Sequence, residues 1–171
     1  MKPSRWRWDN VPVPEAHVAA FGVASLAQIV LPVRLPIGRS PARLIGWPLI
    51  VAGIGLAAWG VTSASTAGVG VDRPAGLVTT GAFAISRNPM YVGWSTGVAG
   101  LGIVARSPWV LGAAVAAAKH THREIIQEEA RLSRAFGPEF EAYAAATPRY
   151  LGPQRLTRPL ARVARMIRGI P

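Results

Sequence analysis

An all-α integral membrane protein of about four transmembrane helices is the fold class that this sequence predicts, and three observations carry it. Half of the 171 residues are hydrophobic and only 16% are charged, with a mean hydropathy of +0.27, too apolar for a disordered chain and unusual for a soluble domain. Long uncharged stretches alternate with short basic ones. The formal charge of +11 sits at the ends of those stretches, as membrane orientation requires and nucleic-acid binding does not. Zero cysteines exclude a disulfide framework and a cysteine nucleophile, and the three histidines, His17, His120 and His122, form no metal-ligand pattern.

The elements follow in order. Residues 16–33 carry no formal charge unless His17 titrates, and at ~1.5 Å per residue they nearly cover the ~30 Å hydrocarbon core. A cleavable signal peptide is the competing reading, but Asp9 and Glu15 precede the run and Arg34-Leu35-Pro36 follows it in place of a small-residue cleavage site. Residues 44–64 form a second span, in which Gly53, Gly55 and Gly60 would let a neighbouring helix approach closely. Residues 90–105 and 108–119 are each short for a straight crossing, and Arg106-Ser107-Pro108 between them predicts a tight helical hairpin. Its second arm is expected to run on beyond the bilayer through His120, Glu124 and Glu128 as one long helix. The last stretch, 154–171, alternates Leu156, Leu160, Val163, Ile167 and Ile170 with arginines on the opposite face, and reads as an interfacial amphipathic helix, with a solvated basic tail as the alternative. The whole chain is one membrane domain.

Four crossings put both termini and the 65–89 loop on one side. Three lysines and arginines lie in the N-terminal segment, two in that loop and ten from Lys119 onward, against Arg34, Arg39, Arg43 and Arg106 on the other side. The excess predicts that both termini face the cytoplasm, in a plasma or inner membrane. It also explains the basic charge through lipid headgroups, so membrane lipids are expected partners and nucleic acid is not; nothing points to an obligate protein partner.

Two polar segments flank the hairpin on the cytoplasmic side. The first, Gly76 to Trp94, is a glycine-punctuated loop running into a span at Asn88-Pro89, since proline suits a helix start and disfavours a helical residue before it. Arg87, Asn88 and Tyr91 are then held at the mouth of the hairpin, where a membrane-interface anchor of snorkelling Arg and belt Tyr and Trp is the plain alternative. The second runs from His120 to Tyr143. His120, Glu124 and Glu128 recur every four residues and share a helical face, whereas Glu129 points ~100° away. A solvated charged face with salt bridges from Arg123, Arg131 and Arg134 is one reading; a carboxylate beside a bilayer-level cleft that binds a cation is the other.

The pair GLVTTGAFAISRNPMYVGW and EEARLSRAFGPEFEAY, followed by PRYLGP, resembles the integral-membrane methyltransferases related to isoprenylcysteine carboxyl methyltransferase and the phospholipid N-methyltransferases. The resemblance covers about residues 70 to 153, with two motifs in the right order around a hairpin. It implies a cytoplasmic S-adenosyl-L-methionine (S-adenosylmethionine) pocket. By that likeness a strand-like stretch at Ala75, Gly76, Leu77 and Val78, the aromatic Phe83, and the turn Arg87, Asn88, Pro89, Met90 and Tyr91 contact the cofactor. Glu128, first of the Glu128-Glu129 pair, binds its amino-acid end, and Glu129 belongs to the same cofactor-binding set. Opposite charge on Glu128 suits a ligand that carries an ammonium and a sulfonium, and an aromatic ring suits adenine.

This chain departs from the pattern. Asn88 stands where the family usually has histidine, which keeps hydrogen bonding and removes a proton that titrates near neutral pH; Phe83 replaces a common tyrosine. Isoprenylcysteine enzymes place an arginine one turn before the Glu-Glu pair for a carboxylate substrate, but Glu124 stands here with Arg123 beside it, favouring an amine or neutral acceptor. An amine must lose a proton, for which Glu124 or His120 is the candidate acceptor. The expected reaction is methyl transfer to a lipid-like or hydrophobic acceptor, with Glu124, His120 and Arg123 as candidate catalytic residues and no metal. Two rivals remain: an NADPH-dependent membrane reductase of the sterol reductase type, which shares a similar turn but has a glutamate soon after its tyrosine where this chain has Trp94, and a non-catalytic membrane scaffold.

Overall fold

The computed structural model describes residues 15–67 and 76–152. The N-terminal basic segment, Ala75 and the expected interfacial helix over 154–171 lie outside these. Among the described residues the secondary structure is wholly helical: α1 (Glu15–Val30), α2 (Arg39–Thr66), a 3-10 turn (Gly81–Ala84), α3 (Pro89–Ala105), α4 (Pro108–Phe136) and α5 (Pro138–Ala146).

Proline sets three of these starts. Pro89, Pro108 and Pro138 each occupy the first turn of a helix, where the missing N–H has no partner to lose. At α4 the Ser107 hydroxyl also accepts the amide of Val110 at 3.2 Å, an N-cap bond. The hairpin turn is tight: Arg106 closes α3 in the left-handed conformation at φ 53°, and α4 begins two residues later. As expected, α4 runs on unbroken well past Ala118, for 29 residues.

α2, 28 residues long with its outer face exposed at Leu44, Val51 and Ile54, is the one described helix long and apolar enough to cross a membrane. The first apolar run forms a shorter helix than expected. α1 stops at Val30, before Pro32 and Pro36, so its 16 residues span only ~24 Å at ~1.5 Å each.

The helices pack through small residues. A methyl group placed on Gly53 of α2 would meet backbone atoms of α3, Gly97 N at 2.5 Å and Gly93 O at 2.6 Å; one on Gly46 would meet Gly100 O at 2.8 Å. Gly60 faces Met90 in the same seam, whereas Gly55, expected to share this role, points into open space. Such close backbone approach is how helices associate where lipid removes the hydrophobic drive. α1 lies on α4, and His17, 2% exposed, reaches α3 with Nε2 3.0 Å from Ser95 Oγ. The linker after α1 clasps the hairpin tip: Leu35 donates its amide to Arg106 O at 2.8 Å, and Trp109 donates its indole N–H to Leu31 O at 2.9 Å.

Candidate active site at the mouth of the hairpin

The segment before α3 is positioned by what packs on it. Residues 77–79 have no regular structure, so the expected strand is absent there. Gly81 turns the chain at φ 62° against Ser63 of α2, whose hydroxyl accepts the amide of Ala82 at 3.0 Å. A side chain at Gly81 would meet both a strained backbone and Ser63.

Arg87 is the hub of the region. Its Nε and Nη2 donate to Glu129 Oε1 at 3.0 and 2.9 Å, and its Nη1 donates to the carbonyls of Ala144 and Thr147 at 2.8 and 2.7 Å, closing the C-terminal end of α5. Arg149 binds the same carboxylate from the other side, 2.7 Å from Nη2 to Glu129 Oε2. Burial by itself raises the Glu129 carboxyl, but the hydrogen bonds from Arg149 and Arg87 and their charges outweigh it and hold it below the ordinary value. Asn88 takes part through its side-chain amide, which donates to Arg149 O at 3.1 Å, and Ser86 donates its hydroxyl to the same carbonyl at 3.2 Å. Thus the turn before α3, the middle of α4 and the segment after α5 are stapled together.

Beside this staple lies a cavity of about 210 Å³ lined by Phe83, Arg87, Asn88, Pro89, Met90, Tyr91, Glu128, Glu129, Leu132, Phe140 and Tyr143. Eight of the residues expected at a cofactor site therefore meet on one surface. Gly76, Leu77 and Val78 do not line it. The two glutamates differ in kind: Glu129 is 13% exposed and committed to two arginines, while Glu128 is 51% exposed and pairs with Arg131 on the helix surface. Glu128 is the carboxylate that can exchange a surface partner for a ligand cation, since exposed pairs contribute little. The Tyr143 hydroxyl donates to Phe83 O at 2.7 Å, holding the backbone at position 83, and burial pushes that hydroxyl's pKa well up. A carboxylate at the edge, aromatic rings and an apolar floor fit an ammonium-bearing, adenine-bearing ligand such as S-adenosylmethionine.

The candidate catalytic residues stand next door. His120 and Glu124 line a recess of about 410 Å³ between α1 and α4, together with Glu15, Ala16, Ala19, Tyr91 and Thr121, and His120 Nε2 lies 3.4 Å from Glu124 Oε1. Arg123 faces a third space, a groove of about 640 Å³ between α3 and α4. Tyr91 borders all three. Sequence reasoning missed Arg149, Tyr143, Phe140 and Leu132; the first lies in PRYLGP and the other three in EEARLSRAFGPEFEAY, the motifs that carried the resemblance, where spacing alone does not announce which side chains turn inward.

A membrane-length helix, joined by a glycine seam to a helical hairpin, and a carboxylate-edged recess at the hairpin's mouth describe a small helical membrane protein with a candidate ligand site. The family described as phospholipid methyltransferase matches residues 42–139, more than half of the chain, and the chain belongs to that family. By class it is thus a membrane methyltransferase. No curated protein and no solved structure matches it.

Proposed function

We propose that the protein is an S-adenosylmethionine-dependent methyltransferase that modifies a hydrophobic, lipid-like acceptor, an amine in preference to a carboxylate. The observation that carries this reading is the meeting of Glu128, Phe83, Tyr91 and Tyr143 on one cavity that shares Tyr91 with the recess of His120 and Glu124. Family membership supports the methyl-transfer chemistry. Four crossings with both termini in the cytoplasm, supported by the distribution of Lys and Arg, would bring the cofactor from water and the acceptor from the bilayer.

When bound, S-adenosylmethionine supplies an electrophilic methyl carbon and a sulfur that takes the electron pair of the broken C–S bond. The chain's own residues do the rest. Glu128 holds the ammonium of the amino-acid end, Phe83 and Tyr143 shape the aromatic wall, and the Arg87–Glu129–Arg149 staple keeps the wall in place. In-line displacement needs alignment and dryness above all. An amine acceptor must lose a proton to free the lone pair that attacks, and Glu124 or His120 receives it. Arg123 stands at the edge of the α3/α4 groove, where it meets an acceptor's anionic group if there is one. Glu124 in the acceptor recess disfavours a carboxylate substrate by like charge.

The test is calorimetric titration of the detergent-solubilised protein with S-adenosylhomocysteine and, separately, NADPH. Binding of the first, lost in Glu128→Ala, is expected; NADPH binding in its place would establish the reductase, and binding of neither, in lipid as well as detergent, would remove the enzymatic reading. With the acceptor in hand, Glu124→Gln slows turnover more than it weakens cofactor binding.

A further inference from the structure

The recess between α1 and α4 contains one polar group with no evident structural employment. Thr121 is 2% exposed, it borders both this recess and the α3/α4 groove, and its hydroxyl has no hydrogen-bond partner. A helical threonine normally bonds the carbonyl one turn back. A buried hydroxyl left unpaired costs ~1–3 kcal/mol, so the position is expensive unless something binds there. Two carboxylates, Glu15 at the start of α1 and Glu124 on α4, line the same recess. Past Thr121 the α3/α4 groove is apolar, with Val92, Val115, Ala118 and Ile125 in its walls.

We infer that Thr121 is the contact for the methyl-accepting nitrogen, and that the acceptor is a cationic amphiphile whose amine lies between Glu15 and Glu124 while its chain lies in the α3/α4 groove. The inference rests on the methyltransferase reading for its reaction, and adds Thr121 and Glu15 as residues that select the acceptor. The three cavities meet at Tyr91, so Tyr91 alone stands between a nitrogen beside Thr121 and the cofactor cavity, and its side chain must turn aside for nitrogen and methyl carbon to meet. The cationic nitrogen first gives one N–H proton to Glu124 or His120, and the lone pair so freed forms the new N–C bond while the C–S bond breaks with its electrons going to the sulfur of S-adenosylmethionine. The Thr121 oxygen accepts from an amine that still has an N–H. It has nothing to accept from a fully methylated nitrogen, so the final product loses that bond.

The absence of native cysteine makes a single introduced thiol a clean reporter. In Thr121→Cys, a cationic methanethiosulfonate is expected to react about tenfold faster than an anionic one, each corrected for its rate with a free thiol, because paired carboxylates concentrate cations locally. The preference disappears when Glu15→Gln and Glu124→Gln are added. Dodecylamine protects the thiol, and lauric acid does not. Ala19→Cys on the opposite wall gives the same pattern if Thr121→Cys fails to fold. Equal corrected rates, an unreactive thiol in both variants, or protection by lauric acid in place of dodecylamine would overturn the assignment. S-adenosylhomocysteine titration of the same preparations keeps the two readings apart: charge-selective labelling without cofactor binding removes the methyltransferase and keeps a cation site, whereas cofactor binding without selective labelling removes the acceptor site alone.

Discussion

Glu128 and Glu129 are adjacent and chemically identical, yet the structure gives them different work, and replacing each by glutamine separates the two. Glutamine at 129 keeps the shape and removes the charge that faces Arg87 and Arg149. Arg87 is the costly loss, because its side chain is only 11% exposed; Arg149, at 37%, recovers water. Breaking a buried ion pair from one side costs ~3–5 kcal/mol. Solvent at Arg149, and the hydrogen bonds that the glutamine carbonyl still accepts, place the expected loss at the lower end, ~3 kcal/mol. For a chain of this length each kcal/mol shifts Tm by ~2–4 °C, which gives a fall of ~6–12 °C. Glu128→Gln breaks only an exposed pair to Arg131, worth under ~1 kcal/mol, and should leave Tm nearly unchanged while abolishing S-adenosylhomocysteine binding. The assay is thermal melting by far-ultraviolet circular dichroism in one detergent, with calorimetric titration on the same samples. A Glu129→Gln variant that melts with the wild type, or a Glu128→Gln variant that melts as early as Glu129→Gln, would refute this division of labour.

Three other outcomes are expected. Gly53→Ala, whose new methyl meets only backbone of α3, should lower stability by ~1–3 kcal/mol through overpacking, while Gly55→Ala, with open space around it, leaves melting unchanged or slightly raised; equal effects would mean that the α2/α3 seam is looser than described. Tyr143→Phe removes the donor to Phe83 O, costs ~1–3 kcal/mol by leaving that carbonyl short of a partner, and should weaken S-adenosylhomocysteine binding in the same titration. Because Glu129 is held below its ordinary value of 4.5, its contribution to stability is complete above that pH and is lost as pH falls through the lower folded value. The melting gap between wild type and Glu129→Gln should therefore stay constant from neutral down to about pH 4.5 and close below it; a gap that closes nearer neutrality would contradict the assigned shift.

The helices were legible where local chemistry dictates them. Pro89, Pro108 and Pro138 mark starts, and Arg106-Ser107-Pro108 marks the hairpin turn, because a proline's fixed φ and missing donor act on the chain regardless of fold. The glycine seam was legible only in part. Gly53 and Gly55 are two residues apart and look alike in sequence, but which faces α3 depends on helix phase, and here it is Gly53. At the site, the motifs located the turn and α4, so the residues from Arg87 to Tyr91 and Glu128 come out on one cavity. What charge patterning could not show is that Arg87 spends its guanidinium on Glu129 and two carbonyls. Partners 42 to 60 residues away belong to tertiary structure and leave no periodic trace.

That same separation has a meaning during synthesis. Arg87 reaches the end of a growing chain well before its carboxylate does: Glu129 comes 42 residues later, about 2 to 8 seconds at ~5–20 residues per second. The carbonyl of Thr147 follows 60 residues after Arg87, so the turn stays unclasped for ~3–12 seconds. Within that interval, from residue 105 onward, the glycine-seamed pair α2 and α3 can already associate, since every atom of their seam has then been made. The ligand cavity, in contrast, gains its last lining residue only at Tyr143, and a ribosome stalled before residue 143 would hold a docked helix pair with no finished site.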